Sequence, residues 1–96
     1  MSAEAKLLVV DDEFNILELL ATSLRFAGFE VVTAGNGREA LEKAHAENPD
    51  LIVLDVMMPG MDGFETCRRL KADASTRHIP VVLVTALDGR DDRLKG

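Results

Sequence analysis

A chain of 96 residues holds one small domain, and 47% hydrophobic with 29% charged residues is the balance of an ordinary globular fold, not a disordered one. The net charge of -6, from 17 acids against 11 bases, repels polyanions; with no Trp or Tyr to stack on bases, direct nucleic-acid binding is not expected. Cys67 has no second cysteine to pair with, no apolar run reaches eighteen residues and no secretory signal opens the chain, so a cytoplasmic protein without a membrane span is expected.

In chain order, Lys6-Leu7-Leu8-Val9-Val10 is a short apolar run ended by acids and reads as a buried strand. Leu17, Leu20, Ala21 and Leu24 follow at helical spacing, and Gly28 stands where a helix end favours positive φ. Val31-Val32-Thr33 is β-branched and predicts the second strand. Asn36-Gly37 offers a turn or N-cap before an amphipathic stretch from Arg38 to Glu47, with Ala40, Leu41 and Ala44 inward. Asn48-Pro49-Asp50 stops that helix, because the residue before proline avoids the helical region.

Leu51 to Leu54 is the third strand, again ended by an acid, Asp55. A loop rich in Pro59, Gly60 and Gly63 leads to a helix from Phe64 to Ala72, with Phe64, Cys67 and Leu70 expected inward. Pro80 opens a fourth strand, Val81 to Val84, followed by Thr85-Ala86, and a last helix is expected to start near Gly89. Strands apolar on both faces, alternating with amphipathic helices, predict an α/β fold: a parallel sheet covered by helices on both sides.

In such a sheet, ligands bind beyond the carboxyl ends of the strands where strand order reverses. The first strand ends in Asp11-Asp12-Glu13, the third in Asp55 and the fourth in Thr85-Ala86. If the first and third strands are neighbours, three aspartates converge. Such a cluster is costly unless a cation neutralises it, and these oxygens suit a hard ion such as Mg2+. One strand-end Asp is most simply a solvated loop residue; three on the same edge favour a site.

The segments Leu8-Val9-Val10-Asp11-Asp12-Glu13, Leu54-Asp55-Val56-Met57-Met58-Pro59-Gly60-Met61-Asp62-Gly63 and Pro80 to Ala86 resemble, in order and spacing, the receiver domains of two-component response regulators. The resemblance implies a flavodoxin-like, doubly wound parallel sheet of strand order 2-1-3-4, with residues 1–96 forming one receiver domain of the chemotaxis-regulator type. It implies that Asp55 takes a phosphoryl group from a histidine kinase, a phosphotransfer protein or a small phosphodonor. Asp12, Asp55 and the Met57 carbonyl would ligate Mg2+, with Asp11 acting through water. Thr85 would hydrogen-bond a phosphoryl oxygen, and Ala86 would leave that group room.

Against the family pattern, the fifth strand, the fifth helix and a lysine at the end of strand 5 are missing. Lys6, at the far end of the sheet, does not replace it. Loss of one such electrostatic partner costs ~10²–10³ in rate, so slow phosphorylation with surviving Mg2+ binding is expected. A phosphorylation-impaired interaction module is therefore the alternative reading. The fourth strand would become an apolar edge, predicting self-association through that edge or by exchange of elements.

A haloacid-dehalogenase-type phosphotransferase would want a second Asp where Met57 stands, and a flavin or dinucleotide binder would be repelled by Asp11-Asp12-Glu13. The module is thus not expected to be an enzyme beyond its own phosphorylation and dephosphorylation. The output domain outside this chain stays open: the first half resembles receivers joined to winged-helix DNA-binding domains, and Arg77 to Arg90 resembles those joined to diguanylate cyclases. Several residues have plainer readings. Met57, Met58 and Met61 are read as packing and not as a soft-metal site, Gly60 and Gly63 as turn formers, and His45 and the Arg68-Arg69-Lys71 cluster as solvated helix faces.

Overall fold

The four apolar runs become neighbours in one parallel sheet. In the computed structural model, which describes residues 5–58 and 60–84, the order of elements is β1 (Lys6–Val10), α1 (Phe14–Phe26), β2 (Glu30–Ala34), α2 (Gly37–Glu47), β3 (Leu51–Asp55), α3 (Gly63–Ala72) and β4 (Val81–Val84). The strand order is β2-β1-β3-β4 and every pairing is parallel. This is the expected flavodoxin-like arrangement. Thr85, Ala86 and the helix expected near Gly89 lie outside the described residues.

Helices cover both faces because each strand is apolar on both. Leu17 and Ala21 of α1 pack with Val9 and Val31 on one side. On the other, Ala40 and Ala44 of α2 and Leu70 of α3 close over Leu8, Val10, Ile52 and Leu54. At full burial each Leu, Ile and Val among these side chains contributes on the order of 1.5–3 kcal/mol of transfer free energy, which makes this central layer the anchor for the strand ends.

Helix ends follow local chemistry. After α1, Gly28 has φ 109°, and its N–H and that of Phe29 donate to the carbonyls of Arg25 and Leu24 at 3.0 and 3.1 Å. That is a Schellman closure, with Leu24 and Phe29 packed against the same core. Asn36 caps α2 by accepting the Glu39 N–H at 2.8 Å, and Asn48 ends it in the left-handed region at φ 47°. Asp62 caps α3 by accepting the Glu65 N–H at 2.9 Å.

One face assignment differs from the sequence expectation. Phe64 is 64% exposed, whereas Gly63, Thr66 and Leu70 are buried. Two small residues let the α3 backbone sit close to the sheet, and this turns the adjacent phenylalanine outward. Cys67 packs against the core edge as expected. Lys71, read from sequence as part of a solvated face, is engaged instead: its ammonium donates to the carbonyls of Ile79 and Arg77 at 2.7 and 3.2 Å and ties down the approach to β4.

Candidate functional site

β1 and β3 lie side by side with Val10 paired to Leu54, so the residues that follow, Asp11 and Asp55, stand level at the carboxyl end of the sheet. The α1 crossover leaves β1 on one side and β3 flanks it on the other, which makes this pair the point where strand order reverses. Asp11 and Asp55 are 0% and 1% exposed, and Asp12 is half-buried. One carboxylate oxygen from each of the three lies within 4.8 Å of the others.

The same backbone device orients two of them. Asp11 Oδ1 accepts the Glu13 N–H at 2.9 Å, and Asp55 Oδ1 accepts the Met57 N–H at 3.0 Å. Each carboxylate folds back on the chain two residues on, a turn that Asp forms readily. Asp55 is thus held by the loop that also carries Met57. Met58 is buried in the core, as packing requires.

Three carboxylates this close repel strongly. At an effective dielectric near 20, two unit charges 4.8 Å apart cost about 3 kcal/mol. A divalent cation removes that cost. The donor set is all oxygen, with no histidine or cysteine in the group, which matches a hard ion of the Mg2+ or Ca2+ kind and not a soft one. Oxygens around Mg2+ sit at about 2.1 Å from the ion and so about 3–4 Å from one another. From a spread of 4.8 Å, about 1–2 Å of closure brings the oxygens to that span.

Comparison with known proteins agrees with this geometry. The family model described as the response regulator receiver domain matches residues 7–96. This chain belongs to that family. The response regulator PleD of Caulobacter vibrioides is 58% identical over 92 residues, covering 96% of the chain and 20% of PleD. The chain therefore spans about a fifth of that relative. The N-terminal domain of a response regulator receiver protein from Methanoculleus marisnigri superposes with a TM-score of 0.83 at 46% identity, covering 85% of this chain and 67% of that one. The response regulator TrrA of Thermotoga maritima, solved in complex with Mg2+-BeF, gives a TM-score of 0.79 at 41% identity, covering 93% and 76%.

As a receiver domain, the chain is a signalling module of two-component systems and not a classical enzyme. Its described helices include none long and apolar enough to cross a membrane. Lys6, at the opposite end of the sheet, pairs with Glu47 at 3.1 Å and Glu30 at 3.9 Å, far from the aspartates.

Two features escaped the sequence reading. His45 is more than a solvated helix residue: its Nε2 lies 3.0 Å from Asp73 Oδ2 and its Nδ1 3.1 Å from Ser75 Oγ, linking α2 to the segment after α3. It borders a groove of about 510 Å3 lined by Leu41, Arg69, Asp73 and Thr76, with none of the three aspartates in its lining. Gly63 is not a turn former. Only Gly28 and Gly60 among the described glycines have positive φ, whereas Gly63 is the buried first residue of α3. Neither feature carries a local sequence signal, because both depend on which elements pack together.

Proposed function

We propose that this receiver domain, taken as one unit over residues 1–96, accepts a phosphoryl group on Asp55 in a Mg2+-dependent reaction. The observation that carries the reading is the gathering of Asp11, Asp12 and Asp55 within 4.8 Å at the ends of two neighbouring strands. An Asp55 carboxylate oxygen attacks phosphorus, and the bond from phosphorus to the donor imidazole or acetate breaks, its electron pair leaving with the donor. Water later attacks the phosphorus, releasing phosphate and restoring the carboxylate, so the module catalyses only its own modification and reset.

Asp12, Asp55 and the Met57 carbonyl are the proposed metal ligands, with Asp11 acting through water. Bound Mg2+ would neutralise and orient the transferring oxygens. The Met57 N–H bond keeps Asp55 turned into the crevice. Thr85 is the proposed hydroxyl partner of the phosphoryl group. The proposed donors are a histidine kinase or phosphotransfer protein, the reader an output domain outside this chain, and a second copy a further partner. Cytoplasmic placement belongs to the same proposal.

The test is incubation with Mg2+ and acetyl phosphate, followed by mass mapping of the acyl phosphate, alongside binding of beryllofluoride. Modification confined to Asp55 and lost in Asp55→Asn is the expected outcome. Labelling that persists in Asp55→Asn overturns the assignment. Mg2+ binding without any capture of phosphate or its mimic would instead favour an interaction module.

A further inference from the structure

Two glycines that no metal or phosphoryl role claims make the tightest backbone approaches around the acceptor. An ideal Cβ on Gly63 would lie 2.5 Å from Val56 Cα and 2.6 Å from the Asp55 carbonyl oxygen. Those are backbone atoms, which cannot rotate aside. The Gly63 N–H also donates to the Val56 carbonyl at 3.3 Å, so the first turn of α3 is seated directly on the end of β3. Gly37, the buried first residue of α2, meets the same loop near its α3 end. A Cβ there would stand 2.9 Å from the Met61 carbonyl oxygen and 3.0 Å from Met61 Sδ, and closer still to Thr66 Oγ1. Thr66 is buried and donates to the Asp62 carbonyl at 2.8 Å.

The loop after Asp55 is thus met at its start by the first residue of α3 and near its end by the first residue of α2. That loop carries the Met57 N–H that orients Asp55. Neither glycine has positive φ, so backbone conformation does not demand glycine at either place; the missing side chain does. We infer that Gly37 and Gly63 are positioning residues that hold the Asp55–Met57 turn against β1 at metal-binding spacing. The inference rests on the proposed acceptor reading. A reacting geometry must be held to roughly 0.5 Å, and a displacement near 1 Å can cost about 10²-fold.

The experiment compares Gly63→Ala, Gly37→Ala and Gly35→Ala in the full 96-residue chain. A Cβ at Gly35 meets only Glu39 Oε1 at 3.6 Å, an ordinary contact, so that variant is the control. Mg2+ affinity is read by amide chemical-shift titration in the absence of any phosphodonor, and beryllofluoride capture is read separately. Both are measured well below each variant's urea midpoint, so that loss of fold is not scored as loss of site.

Gly63→Ala is expected to weaken Mg2+ binding or beryllofluoride capture about 10²-fold. Gly37→Ala is expected to weaken it about tenfold, since Met61 Sδ and Thr66 Oγ1 can yield, with part of that loss recovered when Thr66→Ala is added. Gly35→Ala should match the unsubstituted chain. If Gly63→Ala does not fold, Gly37→Ala and its double variant decide the question. Folded variants with unchanged Mg2+ affinity and capture overturn this inference alone. An unsubstituted chain that binds neither Mg2+ nor the mimic overturns it together with the acceptor reading.

Discussion

Asp73 illustrates how one side chain joins elements that sequence keeps apart. It accepts the Ser75 N–H at 2.9 Å and Ser75 Oγ at 2.8 Å through Oδ1, and meets His45 through Oδ2. The Ser75 hydrogen bonds first, and then the neighbouring His45, hold its carboxyl below the usual value of 3.8. Because the folded-state value is depressed, the stability this group contributes is complete above the unfolded value. It is lost as pH falls below 3.8 through the lower folded value. Asp73→Asn is therefore expected to flatten the acid limb of a urea-midpoint-against-pH profile while leaving the neutral region little changed. An unchanged acid limb would count against the linkage. Glu65 behaves alike, held below the usual range by Arg69 and then Arg68; both carboxylates are open to solvent, whose screening keeps either contribution small.

The elements were legible nearly to their ends because their signals are local. Apolar runs with β-branched residues mark strands, 3.6-residue spacing marks helices, Asn36 marks a helix start, and Gly28 and Pro49 mark stops, all of which the structure keeps. The error at Phe64 has a definite cause. Hydrophobicity alone favours a phenylalanine as the buried residue, but the close seating of Gly63 on β3 rotates the stripe to Gly63, Thr66 and Leu70. The fourth strand poses the remaining question at this scale. Among the described residues β4 pairs with β3 alone, and Val82 and Leu83 are 45% and 37% exposed. An apolar strand edge invites pairing with another chain. Light scattering of the 96-residue chain is expected to give a mass that rises with concentration, and Val82→Lys is expected to hold it at the monomer. A monomeric mass at high concentration would sink the self-association proposal.

For the molecule as a whole, the aspartate cluster couples folding to the metal. Three carboxylates brought within 4.8 Å repel one another, and removing one relieves part of that repulsion. In chelator, Asp12→Asn should raise the unfolding free energy by about 1–2 kcal/mol, a fraction of the pairwise repulsion once solvent screens the half-buried member. Adding Mg2+ at a hundredfold its dissociation constant should stabilise the unsubstituted chain by about 2.7 kcal/mol, and Asp12→Asn by much less. Urea titrations with and without Mg2+ check both signs. An equal Mg2+ gain in the two proteins would remove Asp12 from the ligand set.

Periodicity and strand-end chemistry were enough to name the parallel α/β class, the acids at the strand ends and the hard-cation character of their oxygens, because each depends on residues a few places apart. Adjacency was decided elsewhere. That β1 and β3 are neighbours, with Asp11 level with Asp55, follows from crossover connections that carry α1 to one face and α2 to the other. The seating of α2 and α3 on the loop between them, through Gly37 and Gly63, was likewise invisible along the chain. Contacts between distant segments arise only when a common core is buried, and no spacing rule within one segment can express them.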